Sequence, residues 1–210
     1  MKKLYLAGAG GFAREIHSYL LKKDLVVDGY TFSGFLSDFP ASLDGFDIGF
    51  SIFDEIISYN LTTSDAVIIA VTDCNLKEKI FKHYKKLGIK VLTYIHETAF
   101  IGRNVKIGEG AVICANATLT CDIEIGVAVT INVHSSIGHD AKLGDFCTLS
   151  GHCDVTGRVF LEHKVFMGSH ALIIPNVNIG KGAIIGAGSV VISKVKPGNT
   201  MFGNPAKKIK

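Results

Sequence analysis

The sequence has no pair of cysteines at C-x-x-C spacing. Its five, Cys74, Cys114, Cys121, Cys147 and Cys153, are an odd number spread along the chain. That excludes a zinc ribbon and a closed disulfide framework, and predicts the reduced thiols of a cytoplasmic protein. A dominant charge is lacking too, because 22 Lys and Arg against 19 Asp and Glu leave a net +3. The one basic cluster, Lys207, Lys208 and Lys210, is too small for a nucleic-acid footprint and reads by itself as a solvated terminus. No apolar run reaches the length of a membrane span, and the apolar stretch after Lys2 and Lys3 is interrupted by Arg14 and Glu15. Neither a secretory signal nor a membrane anchor is expected. What is present is 48% hydrophobic residues in 210, enough for a buried core in one or two globular domains.

Two halves follow different periods. From Lys2 to Ile95, short β-branched runs (Leu4 to Ala7, Gly34 to Leu36, Ala66 to Val71, Val91 to Ile95) alternate with amphipathic stretches (Ala13 to Lys22, Leu76 to Leu87). That alternation predicts a small parallel α/β unit, with a joint at Thr93 to Thr98 and domains of residues 1–97 and 98–210. From Ile101 to Val191 an aliphatic residue, with Met167 in one place, recurs every six positions, sixteen times without a break. Four places after it stands a small or β-branched residue, as in Ala111, Ala117, Val129, Ser135, Ala141, Cys147 and Ala183. A period of six fits neither an α-helix nor a simple strand alternation. It fits a solenoid with one flat face per hexad and three faces, eighteen residues, per coil, in which the aliphatic residues stack into a continuous core and the small residue turns the corner.

This repeat resembles the hexapeptide-repeat acyltransferases, and the closing segment Phe202-Gly203-Asn204-Pro205-Ala206-Lys207 resembles the end of that family. The resemblance supplies the left-handedness of the β-helix, which parallel-crossover rules do not. The closest likeness is to the branch that N-acetylates nucleotide-linked amino sugars, similar also to sialic acid O-acetyltransferases. A small Rossmann-like domain precedes the β-helix in that branch, so the likeness extends over nearly the whole chain.

Gly8-Ala9-Gly10-Gly11 follows the first strand and opens the first helix, where bare backbone N–H groups can approach a phosphate. A tight structural turn is the alternative. With the α/β segment ending near Ile95 there is no second mononucleotide half, so one nucleotide with its sugar fits better than a dinucleotide. The resemblance makes Asp38, in Phe35-Leu36-Ser37-Asp38, the candidate for the base or ribose, while Ser37 departs from the acidic residue often found there. It likewise makes Thr72, Asn75 and Lys77 candidates for the nucleotide-sugar, with an ordinary helix cap by Asp73 as the alternative.

Acetyl transfer from a thioester to an amine needs a base for the amine proton and donors for the oxyanion. Sorted by the eighteen-residue coil, His134, His152 and His170 form one column, and His139 lies on the next face. Asp140 follows His139 directly. A carboxylate there would hold the imidazole tautomer and favour the imidazolium, and the resemblance makes the pair the catalytic base and its orienting acid. One coil beyond His139 stands Gly157, the candidate oxyanion donor, while the resemblance puts Asn132 near the sugar. His134 and His152 either line the acceptor cleft or are solvated bystanders; His163 and His170 read as surface residues.

The resemblance further implies acetyl-CoA as co-substrate, held along Ser150, Gly151, Gly168, Ser169, Gly186 and Ala187 with Lys207 and Lys208 near its 3′-phosphate, and a homotrimer with the site between chains. Small residues at those places are also what the repeat demands. A rival of another class, a zinc lyase of the γ-carbonic-anhydrase type, shares the His134 to His139 spacing, but its third ligand would fall on Thr98, which cannot replace histidine at zinc. No metal is expected. A non-catalytic scaffold would leave His139-Asp140 without a purpose. The expected activity is N-acetylation of a nucleotide-linked amino sugar, a UDP-4-amino-4,6-dideoxy sugar for a bacterial surface glycan, with a sialic-acid-type O-acetyltransferase as the alternative.

Overall fold

A computed structural model describes residues 2–210. The chain divides into two compact units, one ending at Tyr94 and the other beginning at Ile95.

In the first unit the order is β1 (Lys3–Ala7), α1 (Gly11–Leu21), β2 (Val26–Val27), β3 (Tyr30–Leu36), β4 (Ala66–Ile69), α2 (Cys74–Lys86) and β5 (Lys90–Val91). The strands lie side by side as β2-β3-β1-β4-β5. Leu4 to Ala7 and all of β4 are buried, as expected of inner strands of a parallel sheet. α1 packs through Ala13, Ile16, His17 and Leu20, one apolar stripe. The sheet is not wholly parallel, because β2 runs antiparallel to β3 with Val27 opposite Tyr30. Between them Asp28 and Gly29 both have positive φ, 49° and 78°, the geometry of a two-residue type I′ hairpin. The Asp-Gly pair flanked by valine and tyrosine was a visible signal for this hairpin, which the strand–helix alternation passes over.

The second unit is a parallel β-solenoid of about six turns, consistent with the left-handed β-helix that the family resemblance implies. Sixteen two-residue strands, from Phe100–Ile101 to Val190–Val191, end on the sixteen aliphatic positions. Each pairs in parallel with strands eighteen residues away, as Leu119 does with Ile101 and Ile137. From Ile113 to Val191 these aliphatic residues are buried as one cluster, and each such side chain contributes about 1.5–3 kcal/mol by leaving water. The strand Thr200–Phe202 continues one of the three sheets beside Ile184–Ile185, and Lys207–Lys208 folds back antiparallel upon it.

The corners correct one expectation. The small residues four places after the aliphatic one do not make the turn: Ala111, Ala117, Ser135, Ala141, Cys147 and Ala183 are buried inside the coil. The turn is made one residue earlier. Every sixth residue from Asn104 to Gly188 has φ between 48° and 74°, the left-handed region that Gly, Asn and Asp enter most cheaply. His134, Asp140, His152 and His170 all stand at this position, so the fold throws their side chains outward at the corners.

Candidate active site

Strand Ser136–Ile137 delivers the chain to one such corner. There His139 Nδ1 donates to Asp140 Oδ2 at 2.7 Å, since an ionised carboxylate can only accept. The tautomer is thereby set, with the free lone pair on Nε2. Both side chains are about half exposed, 51% and 52%. The backbone is held from both sides: Asp140 N–H donates to the Cys121 carbonyl at 3.2 Å, and Arg158 N–H to the His139 carbonyl at 2.8 Å. Asp140 adopts φ 61°, which aspartate tolerates at a turn.

Gly157 lies under the imidazole. A Cβ built there would stand 2.6 Å from His139 Nε2 and 2.8 Å from Cε1, so any other residue would displace the ring. Its amide belongs to a class of corner N–H groups that stand outside the inter-coil ladder. At equivalent positions Val127 N–H donates to Asp145 Oδ1, and Lys181 N–H to Glu162 Oε2, each at 2.8 Å. These corner amides therefore take anionic oxygens when one is near. Among the described residues the Gly157 amide has no acceptor.

Asn132 is partly buried, and its Oδ1 accepts from the corner amide of Val133 at 2.7 Å. His134 and His152 stack face to face, centroids 4.9 Å apart. His170, which the sequence reading set aside as a surface residue, continues the stack at 4.7 Å from His152. Coil arithmetic carried that signal. Ser150, Gly151, Gly168, Ser169, Gly186 and Ala187 occupy the positions just before this histidine corner on successive coils. Gly168 is buried, and a Cβ there would stand 2.6 Å from Ala187 N, so packing alone requires that glycine. Lys207 and Lys208 are exposed on the closing strand. His163 makes an edge contact with Phe146 at 5.3 Å and lines a groove of about 580 Å³ on another face. Thr98 binds His96 Nδ1 and the Asn116 amide, at 2.9 and 3.0 Å.

In the first unit a cleft of about 310 Å³ opens at the carboxyl ends of β1, β3 and β4, and gathers Gly8, Gly10, Gly11, Asp38 and Thr72. Such ends are where open α/β sheets bind ligands. Gly8 has φ 129°, and a Cβ there would be 2.6 Å from the Ala70 carbonyl. Gly10 caps α1 without any side-chain bond to the first turn, which leaves its N–H groups turned to the cleft. Asp38 Oδ1 accepts from the Ile56 amide at 3.0 Å, tying the cleft to the following loop. Asp73 does cap α2, accepting from Leu76 N–H at 2.7 Å, and also borders the cleft.

Two candidates fall outside this cleft. Asn75 is exposed at the start of α2 and does not line it. Lys77 is 1% exposed, on the same stripe as Cys74, Ile80 and Tyr84; the helical spacing that buries those residues takes Lys77 with them. Sequence reasoning missed Arg14, whose guanidinium lies 3.4 Å from the Phe46 ring centroid, a pairing across distant segments with no local signal.

Residues 3–84 match the family described as PglD N-terminal domain. Most of the first unit therefore resembles a PglD N-terminal domain. Joined to the hexapeptide β-helix, this domain gives a chain similar end to end to solved structures. WeeI from Acinetobacter baumannii AYE is 29% identical, covers 100% of both chains and superposes with a TM-score of 0.87. PerB from Caulobacter crescentus, solved with CoA and GDP-perosamine, is 26% identical over 100% of this chain and 98% of its own, with a TM-score of 0.87. A chloramphenicol acetyltransferase of Klebsiella aerogenes is 51% identical over 43 residues. That match spans 20% of either chain, about what a few coils of the repeat would give.

Proposed function

We propose that the protein is an acetyl-CoA-dependent N-acetyltransferase whose acceptor is the amino group of a nucleotide-linked amino sugar. The observation that carries this reading is the His139 corner, where a tautomer-fixed imidazole packs on Gly157, whose amide has no acceptor among the described residues. The amine nitrogen attacks the thioester carbonyl carbon as His139 Nε2 takes the amine proton. Charge developing on the carbonyl oxygen meets the Gly157 N–H. The carbon–sulfur bond then breaks, and coenzyme A leaves as a thiolate that recovers the proton. Asp140 holds the imidazole in the orientation and tautomer that leave Nε2 free for the proton.

The donor follows the corner residues from Ser150 to Ala187, and Lys207 and Lys208 meet its phosphates. The acceptor's nucleotide occupies the glycine-turn cleft through Gly8, Gly10, Gly11, Asp38 and Thr72, and Asn132 and His134 face the sugar. PerB's GDP-perosamine supports a nucleotide-linked amino sugar, and a UDP-4-amino-4,6-dideoxy sugar is the first acceptor to test. A homotrimer would shield the half-exposed His139 from water. No helix among the described residues is long and apolar enough to cross a membrane, and both substrates belong to the cytoplasm.

The test is release of free coenzyme A from acetyl-CoA with UDP-, GDP- and dTDP-linked amino sugars in turn. Turnover with one class, lost in His139→Ala, is expected. Unchanged turnover in His139→Ala would remove the general base, and no turnover with any amino sugar would overturn the reading. Sedimentation of the purified chain tests the trimer.

A further inference from the structure

Four corner side chains of successive coils, Asn116, His134, His152 and His170, stand one above another along the solenoid. The imidazoles of His134 and His152 are 4.9 Å apart and within 10° of parallel, and those of His152 and His170 are 4.7 Å apart and within 6°. Those separations equal the spacing of hydrogen-bonded strands. Each ring therefore lies across the coil axis, and the repeat itself imposes the stack.

The two ends of the column differ. Asn116 closes the first, with Nδ2 3.4 Å from His134 Nε2. At the other end, eighteen residues beyond His170, stands Gly188. It has the same corner conformation, φ 68°, and no atom lies within 4 Å of where its Cβ would be. The outer face of the exposed His170 ring thus looks onto open space at the spacing of one more planar ring. Cations stand close by along the chain path. The Phe202 ring lies against Gly186, two residues before Gly188, and Phe202 pairs with Lys207 on the closing hairpin.

We propose that the face of His170 above Gly188 is the stacking platform for the adenine ring of coenzyme A. This rests on the acetyl-CoA reading above and adds the seat of the adenine to it. A purine presents a π-face to any flat aromatic side chain and needs no hydrogen-bond readout there. An imidazole already held parallel by two others gives up little freedom when it binds. The acceptor's nucleobase has the same chemistry, but its proposed seat is the glycine-turn cleft of the first unit. The corner positions beside His170 and Gly188 are those assigned to the donor.

Calorimetric titration of the full-length protein with coenzyme A and with 4′-phosphopantetheine, which lacks the adenosine, tests the proposal. His170→Ala is expected to weaken coenzyme A by about tenfold, the loss of one base–aromatic stack, and to leave 4′-phosphopantetheine unchanged. His170→Phe should keep most of the affinity. Gly188→His, which fills the open place with a residue this corner accepts three times already, should weaken coenzyme A alone. Equal affinity of wild type and His170→Ala for coenzyme A overturns the platform and leaves the acetyltransferase reading intact. Weakening of the nucleotide-sugar instead of coenzyme A also overturns it. Absence of coenzyme A binding by the wild type overturns both.

Discussion

The imidazole of His139 rests on Gly157: a single added methyl at Gly157 would stand 2.6 Å from Nε2, the atom proposed to take the proton. The proposed base and the proposed oxyanion donor are therefore packed against each other across one coil step, and neither can be altered without moving the other. Gly157→Ala should lower kcat by about 100-fold, in the range for losing a positioned base or an oxyanion donor. Because the ring is displaced while the glycine-turn cleft is untouched, KM for the nucleotide-sugar should stay within about twofold, the pattern expected when only transition-state contacts are lost. Asp140→Asn should also lower kcat, since an amide can donate to Nδ1 and favour the wrong tautomer. Steady-state kinetics on the two variants, with circular dichroism to verify the fold, decide the matter; wild-type kcat in Gly157→Ala would separate the two residues functionally.

The glycine turn yields a prediction about stability. At Gly8 a Cβ would be 2.6 Å from a backbone carbonyl at φ 129°, whereas at Gly10 nothing lies within 4 Å. Gly8→Ala should destabilise the protein by about 1–3 kcal/mol through strain and overpacking, and Gly10→Ala should change it by less than about 0.5 kcal/mol. Thermal unfolding of both variants checks this, and equal melting shifts would show that Gly8 is not the tight point of the turn.

How far the sequence carried these assignments depended on whether the relevant spacing was periodic. The β-helix was legible because each hexad repeats one backbone conformation, so Ile101 predicts Leu119 and Ile137 as neighbours by counting alone. The same counting placed Gly157 beneath His139 and stacked His134 on His152. It did not reveal that the left-handed corner residue precedes the small one, because Ala128 and Phe146 at that position hide the preference for Asn, Asp and Gly. In the first unit the turn chemistry was local and partly overlooked, as with Asp28-Gly29. The burial of Lys77 was legible only by phase: three residues before Ile80 and seven before Tyr84, it sits on the buried stripe of α2. The stacking of Arg14 on Phe46 depends on a loop closing over the helix, and no spacing rule anticipates that.

His17 makes the first unit sensitive to acid. It is 3% exposed among Phe32, Phe35 and Phe50, and its Nε2 has no partner. Burial lowers its pKa below the usual histidine value near 6.5, because the charged form is denied water. A lowered histidine pKa means that the unfolded chain binds the extra proton first. The stabilisation is complete above pH about 6.5 and falls as the pH drops toward the folded pKa. Melting temperatures from pH 8 to pH 5 should fall more steeply for wild type than for His17→Phe; parallel curves would show that His17 does not carry the dependence.

Cys121 is the thiol to follow near the proposed base. It stands one coil before His139, next to the corner residue Asp122, and its carbonyl holds the Asp140 amide. It is partly exposed, while Cys74, Cys114, Cys147 and Cys153 are buried, with burial pushing the Cys153 thiol up to about 12. Desolvation raises the Cys121 pKa, and the hydrogen bond and charge of Asp122 and the charge of Asp140 raise it further. A raised thiol pKa means less thiolate at neutral pH than an ordinary cysteine has, so alkylation should be slow at pH 7 and quicken toward pH 9. Iodoacetamide on the native protein should then modify Cys121 first, as read by peptide mass spectrometry. The adduct beside His139 should suppress coenzyme A release in proportion to labelling. Cys121→Ser should keep its activity in the reagent. Full activity in labelled wild-type protein would mean that the thiol points away from the acceptor's approach to His139.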